Sequence, residues 1–284
     1  MPRPLAAPIR LLLLIWNLLA TAASFSIFTW LVHDRHMPGW PALLDRATLG
    51  PLFRVGHSVL AAVSVDVLLF AGFGLLHAGA ARRAVYLMLG QRWGIVHKQA
   101  LRTVFMTITA LAWLGLVFCW QPTRAWVWDI APWLASSLGV ARSTLDSGAK
   151  LLSFGFVLLC LGTVARHGAF RFVGLRQLLA APEHTDELGA FVDSAPVSQP
   201  VLLTTGIYGV VRHPMYTYLL AAVIVRPSLS LDLMVWFLCA VGFLLIALPL
   251  EEAKLVAIFG EGYQAYQRRT PAFIPFWPMR RSVR

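Results

Sequence analysis

Leu233-Met-Val-Trp-Phe-Leu-Cys-Ala-Val-Gly-Phe-Leu-Leu-Ile-Ala-Leu-Pro-Leu250 is a run of 18 residues without a charge. As a helix it is ~27 Å long, close to the ~30 Å of hydrocarbon in a bilayer. The rest of the chain has the same character. Of 284 residues, 58% are apolar and 13% are charged, whereas soluble domains carry roughly 25% charged residues. The mean hydropathy is +0.69. This composition excludes a disordered chain, a collagen and a soluble nucleic-acid binder, so nucleic acid is not an expected partner. The formal charge of +11 reads as cytoplasmic loops and contact with anionic membrane lipid.

Working outward, Leu11 to Val32 is a further uncharged run of 22 residues. Ala20-Thr21-Ala22 has the small-residue look of a signal-peptide cleavage site, but the apolar run continues past it, which favours a retained anchor. Val55 to Ala81 is a second span and contains His57, Asp66 and His77. Thr103 to Trp120 is a third. Leu151 to Ala165 is a fourth, only 15 residues long, with Lys150 and Arg166 placed to snorkel. Met215 to Val225 and Leu233 to Leu250 form the arms of a hairpin whose turn runs from Arg226 through Asp232. The expected fold class is all-α, a polytopic membrane helical bundle with about six crossings, a C-terminal helical hairpin and an amphipathic C-terminal helix. With the N-terminus inside, 17 of the 24 Lys and Arg residues fall on the inner side. Both termini are therefore expected in the cytoplasm.

Residues 1–54 read as an N-terminal membrane anchor and loop, and residues 55–284 as the core. Trp126, Trp128 and Trp133 suit an interfacial aromatic belt. Phe170 to Leu179 is basic and apolar, and Ala181 to Pro200 is a polar loop. Glu251 to Arg269 has Leu255, Ile258, Phe259 and Tyr266 at helical spacing and reads as an amphipathic helix ended by Pro271. Cys119, Cys160 and Cys239 each sit alone in apolar sequence and read as buried small hydrophobes. No metal-ligand spacing is present.

The densest polar cluster at a membrane edge is Gly206-Ile-Tyr208-Gly-Val-Val-Arg212-His213-Pro214-Met-Tyr216. Pro214 suits the first turn of a helix, where its missing N–H costs nothing. The other arm returns to the same side and ends in Glu251-Glu252. Counting from the turn leaves an offset of six residues, ~9 Å on ideal helices, which side-chain reach and a kink at Pro249 would close. An arginine and a histidine thus approach two glutamates at one membrane level. That arrangement is either an interfacial ion pair or a functional site, and ionisable residues at membrane depth favour the second. Asp66 and His77, eleven residues apart, share one helix face. They serve as interhelical hydrogen-bond partners, or His77 closes a ligand pocket.

The first cluster, followed by Glu251-Glu-x-x-Leu-x-x-x-Phe-Gly-x-x-Tyr263-x-x-Tyr266 and Pro271-x-x-Ile-Pro275, resembles the membrane methyltransferases of the isoprenylcysteine carboxyl methyltransferase superfamily over residues 204–276. Upstream, Asp66 through His77, Phe118-Cys-Trp120-Gln-Pro, Trp128-Asp129 and Phe172-Val-Gly-Leu-Arg-Gln177 look like the bacterial methanethiol S-methyltransferases and their denitrification-associated relatives. The resemblance implies a multi-pass enzyme of the bacterial inner (cytoplasmic) membrane that uses S-adenosyl-L-methionine. It implies that Tyr208, His213, Tyr216, Glu252, Tyr263 and His77 bind the cofactor, and that no metal takes part. It further implies that Arg212, Glu251 and His213 are catalytic, with Arg212 stabilising an anionic nucleophile and Glu251 orienting it.

The acceptor implied is a small thiol such as methanethiol, giving dimethyl sulfide. Tyr218 stands where the family usually has glycine, and its ring would fill space that a prenyl tail could use. Two other functions remain open at this point: a prenylcysteine carboxyl or lipid methyltransferase, and a non-catalytic membrane factor for maturation of respiratory reductases. His57 and His77 would be haem ligands in the latter, though at ~30 Å apart along one helix they cannot serve one haem within one chain.

Overall fold

The computed structural model describes residues 6–33, 51–56, 58–80, 100–123, 125–166, 169–179 and 201–275. His57 and the polar loop Ala181–Pro200 lie outside them. The chain forms α1 (Ala7–His33), α2 (Val59–Ala80), α3 (Leu101–Cys119), β1 (Trp126–Asp129), α4 (Ala131–Leu138), α5 (Arg142–Arg166), α6 (Ala169–Phe172) and α7 (Leu175–Leu179). A 3₁₀ turn at Gly206–Gly209 is followed by α8 (Pro214–Ile224), β2 (Ser228–Ser230), α9 (Leu231–Phe259) and α10 (Glu261–Arg269). Among the described residues, α1, α2, α3, α5 and α9 are long and apolar enough to cross a membrane, and α8 is a shorter apolar helix of 11 residues. The protein is an all-α, polytopic membrane protein.

The chain divides into two compact units. The first comprises residues 1–128, 167–196 and 228–239, and the second residues 129–166, 197–227 and 240–284.

In the first unit α3 packs against both α1 and α2. Lipid supplies little drive for helix association, so interhelical hydrogen bonds and close packing carry it. Asn17, wholly buried, donates to the Thr103 hydroxyl at 3.0 Å, and Trp16 Nε1 donates to Thr107 at 2.8 Å. Both bonds tie α1, which the sequence sets apart with residues 1–54, to α3. Buried Asp66 on α2 accepts from the Gln121 backbone N–H at 2.7 Å. Asp232, in the first turn of α9, accepts from the N–H and hydroxyl of Thr123 at 3.0 and 2.7 Å. A carboxylate there also suits the positive end of the helix dipole.

Arg102 is buried over the Phe105 ring, 4.3 Å from its centroid, and donates to the Phe172 carbonyl at 2.7 Å. This contact seats α6 and α7. It leaves no room at Gly174, which has φ +90°; a Cβ there would lie 2.6 Å from Arg102 Cγ. In the second unit α5 packs along α8.

Three expectations change. The fourth span is not short, because α5 begins at Arg142 and runs 25 residues. The charged residues ahead of Leu151 continue the helix instead of ending it, and Arg142 pairs with Asp129 at 2.8 Å and with Asp146 at 3.6 Å. Secondly, Glu251 does not start a new helix: α9 passes through Pro249 and continues to Phe259. The break comes at Gly260, whose φ of +58° halts the chain before α10. Thirdly, only Cys160 is fully buried; Cys119 and Cys239 are half-buried.

Gly174→Ala should destabilise the protein by more than about 2 kcal/mol, since positive φ and overpacking each cost on the order of 1–3 kcal/mol. Gly139→Ala, at φ +65° with no atom within 4 Å of the added Cβ, should cost only about 1 kcal/mol. Thermal unfolding of both variants in detergent checks the difference; equal losses would remove Arg102 from the argument.

Candidate active site

The site is built on the segment that leads into α8. Gly206, at φ +64°, opens the 3₁₀ turn that carries Tyr208. Val211 is wholly buried, which holds the next two residues against the second unit's interior. Pro214 is the first helical residue of α8 and His213 its N-cap. The backbone N–H groups of Arg212 and His213 therefore need partners outside the helix. They find them in the C-terminal strap: Arg212 N–H donates to the Pro271 carbonyl and His213 N–H to the Ala272 carbonyl, both at 2.9 Å. The Thr217 hydroxyl donates to the Phe273 carbonyl at 2.9 Å.

Arg212 and Glu252 form the central pair. Arg212 Nε donates to Glu252 Oε1 at 2.7 Å and Nη2 lies 2.5 Å from the same oxygen. Both side chains are mostly buried, at 11% and 15% exposure. Arg212 Nη1 donates to the backbone carbonyls of Gln267, at 3.1 Å, and of Thr270. Of five guanidinium N–H groups, four are thus engaged within the protein. Glu252 is as fully used: His213 Nε2 lies 3.2 Å from Oε1 and Gln267 Nε2 donates to Oε2 at 3.0 Å.

Glu251 behaves differently. It accepts the Tyr216 hydroxyl on Oε2 at 2.9 Å, while 43% of its side chain stays exposed. His213 Nδ1 lies 4.0 Å from its Oε1. The His213 and Tyr216 rings stack with centroids 5.7 Å apart. The two adjacent glutamates therefore divide into an internal carboxylate and an open one.

Three further phenols surround this core. Tyr266 donates to the Tyr208 carbonyl at 2.5 Å. Tyr263, 2% exposed, packs edge-on against Tyr266. Its hydroxyl lies buried within weak hydrogen-bonding reach of Arg212 and, among the described residues, has no partner of good geometry. Burial pushes all three phenols up: Tyr266 to about 12, Tyr263 further with Glu252 adding and Arg212 opposing, and Tyr208 with Arg166 opposing. All three stay protonated at neutral pH, and Tyr266 is seen donating.

The structure brings together Tyr208, Arg212, His213, Tyr216, Glu251, Glu252 and Tyr263 within the second unit. His77 belongs to the first unit, where Nδ1 lies 3.2 Å from the Thr109 hydroxyl on α3 and its ring stacks on Phe73. The spacing brought Arg212 and His213 toward both glutamates without distinguishing them; the guanidinium bonds Glu252. Gln267 and Thr270 escaped notice entirely, the latter because only its backbone takes part.

Tyr266→Phe should cost about 1–3 kcal/mol in thermal unfolding, because it leaves the Tyr208 carbonyl buried without its donor. Tyr263→Phe removes an unsatisfied hydroxyl and should leave ligand-free stability within about 0.5 kcal/mol of the parent.

The chain is similar to several methyltransferases. It is 28% identical over 224 residues to the methanethiol S-methyltransferase of Pseudomonas deceptionensis, covering 78% of this chain and 75% of that one. It is 24% identical over 251 residues to the methanethiol S-methyltransferase of Mycobacterium tuberculosis, covering 85% and 86%. It is 30% identical over 167 residues to the protein-S-isoprenylcysteine O-methyltransferase of Schizosaccharomyces pombe, covering 52% and 68%. No family model matches the chain, and no solved structure matches it. The helix-terminal Arg-His-Pro segment facing paired glutamates, and relatives that all carry methyltransferase names, lead to one conclusion: the chain is a methyltransferase and belongs to the isoprenylcysteine carboxyl methyltransferase superfamily of membrane enzymes.

Proposed function

We propose that this methyltransferase uses S-adenosyl-L-methionine to S-methylate a small thiol, converting methanethiol to dimethyl sulfide. The observation that carries the cofactor reading is Glu251, a half-exposed carboxylate held in place by Tyr216 and beside an aromatic stack. An anionic oxygen and ring faces together suit a sulfonium cation. A second observation fits the same molecule. The buried Tyr263 hydroxyl lies within weak hydrogen-bonding reach of Arg212 without a bond of good geometry among the described residues, and the two groups together offer donors for the methionyl carboxylate.

When bound, the cofactor supplies an electrophilic methyl group on a positively charged sulfur. The protein's part is to align and to manage charge. Tyr208, His213 and Glu252 border the proposed cofactor position, and Glu252 holds Arg212 in one orientation. Arg212 keeps a positive potential that favours the thiolate, the form in which a thiol attacks. His213 presents Nδ1 as the acceptor of the thiol proton, because its Nε2 faces Glu252.

A small acceptor is favoured by the relatives that match across most of this chain and by Tyr218. That ring meets Phe156 of α5 with centroids 6.3 Å apart and occupies space that a prenyl chain would need. A prenylcysteine carboxylate is the second reading, carried by the likeness to the fission-yeast relative. The charge asymmetry supports a cytoplasmic location, in the inner membrane, for both termini and the cofactor supply.

Calorimetry of purified protein in detergent should show saturable binding of S-adenosylmethionine. Glu251→Gln should weaken it about tenfold, ~1.4 kcal/mol, and leave S-adenosylhomocysteine, which lacks the sulfonium charge, within about threefold. Equal weakening of both ligands would detach Glu251 from the sulfonium. Membranes supplied with methanethiol and the cofactor should release dimethyl sulfide; methylation of farnesylcysteine without any of methanethiol would move the acceptor to the second reading.

A further inference from the structure

Gln267 holds both members of the central ion pair. From one turn of α10 its backbone carbonyl accepts Arg212 Nη1 at 3.1 Å, and its side-chain amide donates to Glu252 Oε2 at 3.0 Å. The two oxygens of Glu252 are unequally served. Oε1 faces Arg212 Nε, Arg212 Nη2 and His213 Nε2. Oε2 has one hydrogen bond among the described residues, from Gln267. Rotation of a carboxylate about its last torsion is soft and roughly two-fold. With three donors crowded on Oε1, the Gln267 amide opposes a partial rotation that would share the Arg212 donors between both oxygens and draw Oε1 away from His213 Nε2.

That rotation has a chemical consequence at His213. Ionised Glu252 accepts and never donates, so the hydrogen of the His213 ring belongs on Nε2. Nδ1 is then left with its lone pair on the side where Glu251 stands, 4.0 Å away. Which imidazole nitrogen carries the hydrogen is set by the bond the other makes. A Glu252 carboxylate free to turn would no longer fix Nε2, and the imidazole would exchange between tautomers.

We propose that Gln267 is a positioning residue of the methyl-transfer site: by fixing the Glu252 carboxylate plane it holds Arg212 in register and locks His213 in the tautomer with Nδ1 open. This rests on the methyltransferase reading above, in which His213 Nδ1 receives the proton of the thiol.

Two variants test it in the full-length protein. Gln267→Met keeps the length of the side chain and removes the donor. Gln267→Glu keeps the shape and faces Glu252 with a second acceptor. Nitrogen-15 spectra of histidine-labelled protein in lipid bilayers, with His213 assigned through His213→Gln, report the tautomer directly. The parent should show hydrogen on Nε2 alone, and both variants a mixture. The turnover number for methanethiol should fall about tenfold in each, with KM for S-adenosylmethionine changed less than threefold. A single Nε2–H tautomer retained in Gln267→Met would overturn the proposal, as would mixed tautomers with parental turnover. A parent protein that shows the locked tautomer but methylates no thiol would instead overturn the thiol reading, and the spectra would still decide whether Gln267 controls His213.

Discussion

An arginine and a glutamate meet at the end of a membrane helix with little water around either, and the second unit is organised around that contact. Arg212 and Glu252 are both mostly buried. Desolvating two charges costs several kcal/mol per ion, and their attraction offsets this only when every remaining donor and acceptor is also satisfied. The chain comes close to that condition, with backbone as much as with side chains. The carbonyls of Gln267 and Thr270 take Arg212, while His213 and the Gln267 amide take Glu252. Residues far apart in sequence, at 212, 252, 267 and 270, are thereby fixed to one another. The same segments are knitted again by the hydrogen bonds of Arg212 and His213 backbone to the 271–272 strap.

Once Glu252 is spoken for, Glu251 is available. Neighbouring residues on an α-helix point ~100° apart, so one glutamate can turn inward to the guanidinium while the next faces the open side. Tyr216 then supplies a single anchor without neutralising its charge. The proposed chemistry uses this asymmetry: a rigid interior ion pair that holds Arg212 and His213 in place, beside an exposed anion and stacked rings suited to a cationic cofactor. A non-catalytic maturation role loses its support, since the relatives are named methyltransferases.

Much of this was legible in the amino-acid order. The membrane spans follow from length and hydropathy, which depend on composition alone. The approach of the Arg-His-Pro segment to the glutamates follows from helix rise and the position of the turn. What was not legible is finer. Sequence spacing cannot say which of two adjacent glutamates faces Arg212, because a rotation of α9 by one residue exchanges them. It could not show that α5 extends back to Arg142, since the charged residues that end an apolar run do not end a helix. Gln267 carries no pattern of its own; its role comes from α10 folding back after Gly260, and the backbone acceptors of the strap have no side-chain signature at all. Among the aromatic residues, Tyr263 and Tyr266 read alike, and only the structure shows that the Tyr266 hydroxyl makes a well-formed hydrogen bond while that of Tyr263 makes none among the described residues.

The claim on which the rest depends is that the Arg212–Glu252 pair holds the site together. A double-mutant cycle on unfolding in detergent tests it most directly, using Arg212→Met, Glu252→Met and the two combined. Each single change leaves a buried charge without its partner and should cost about 3–5 kcal/mol, whereas the double variant should cost much less than the sum. Additive losses, within about 0.5 kcal/mol, would mean that the two side chains do not act as a pair and would contradict the account.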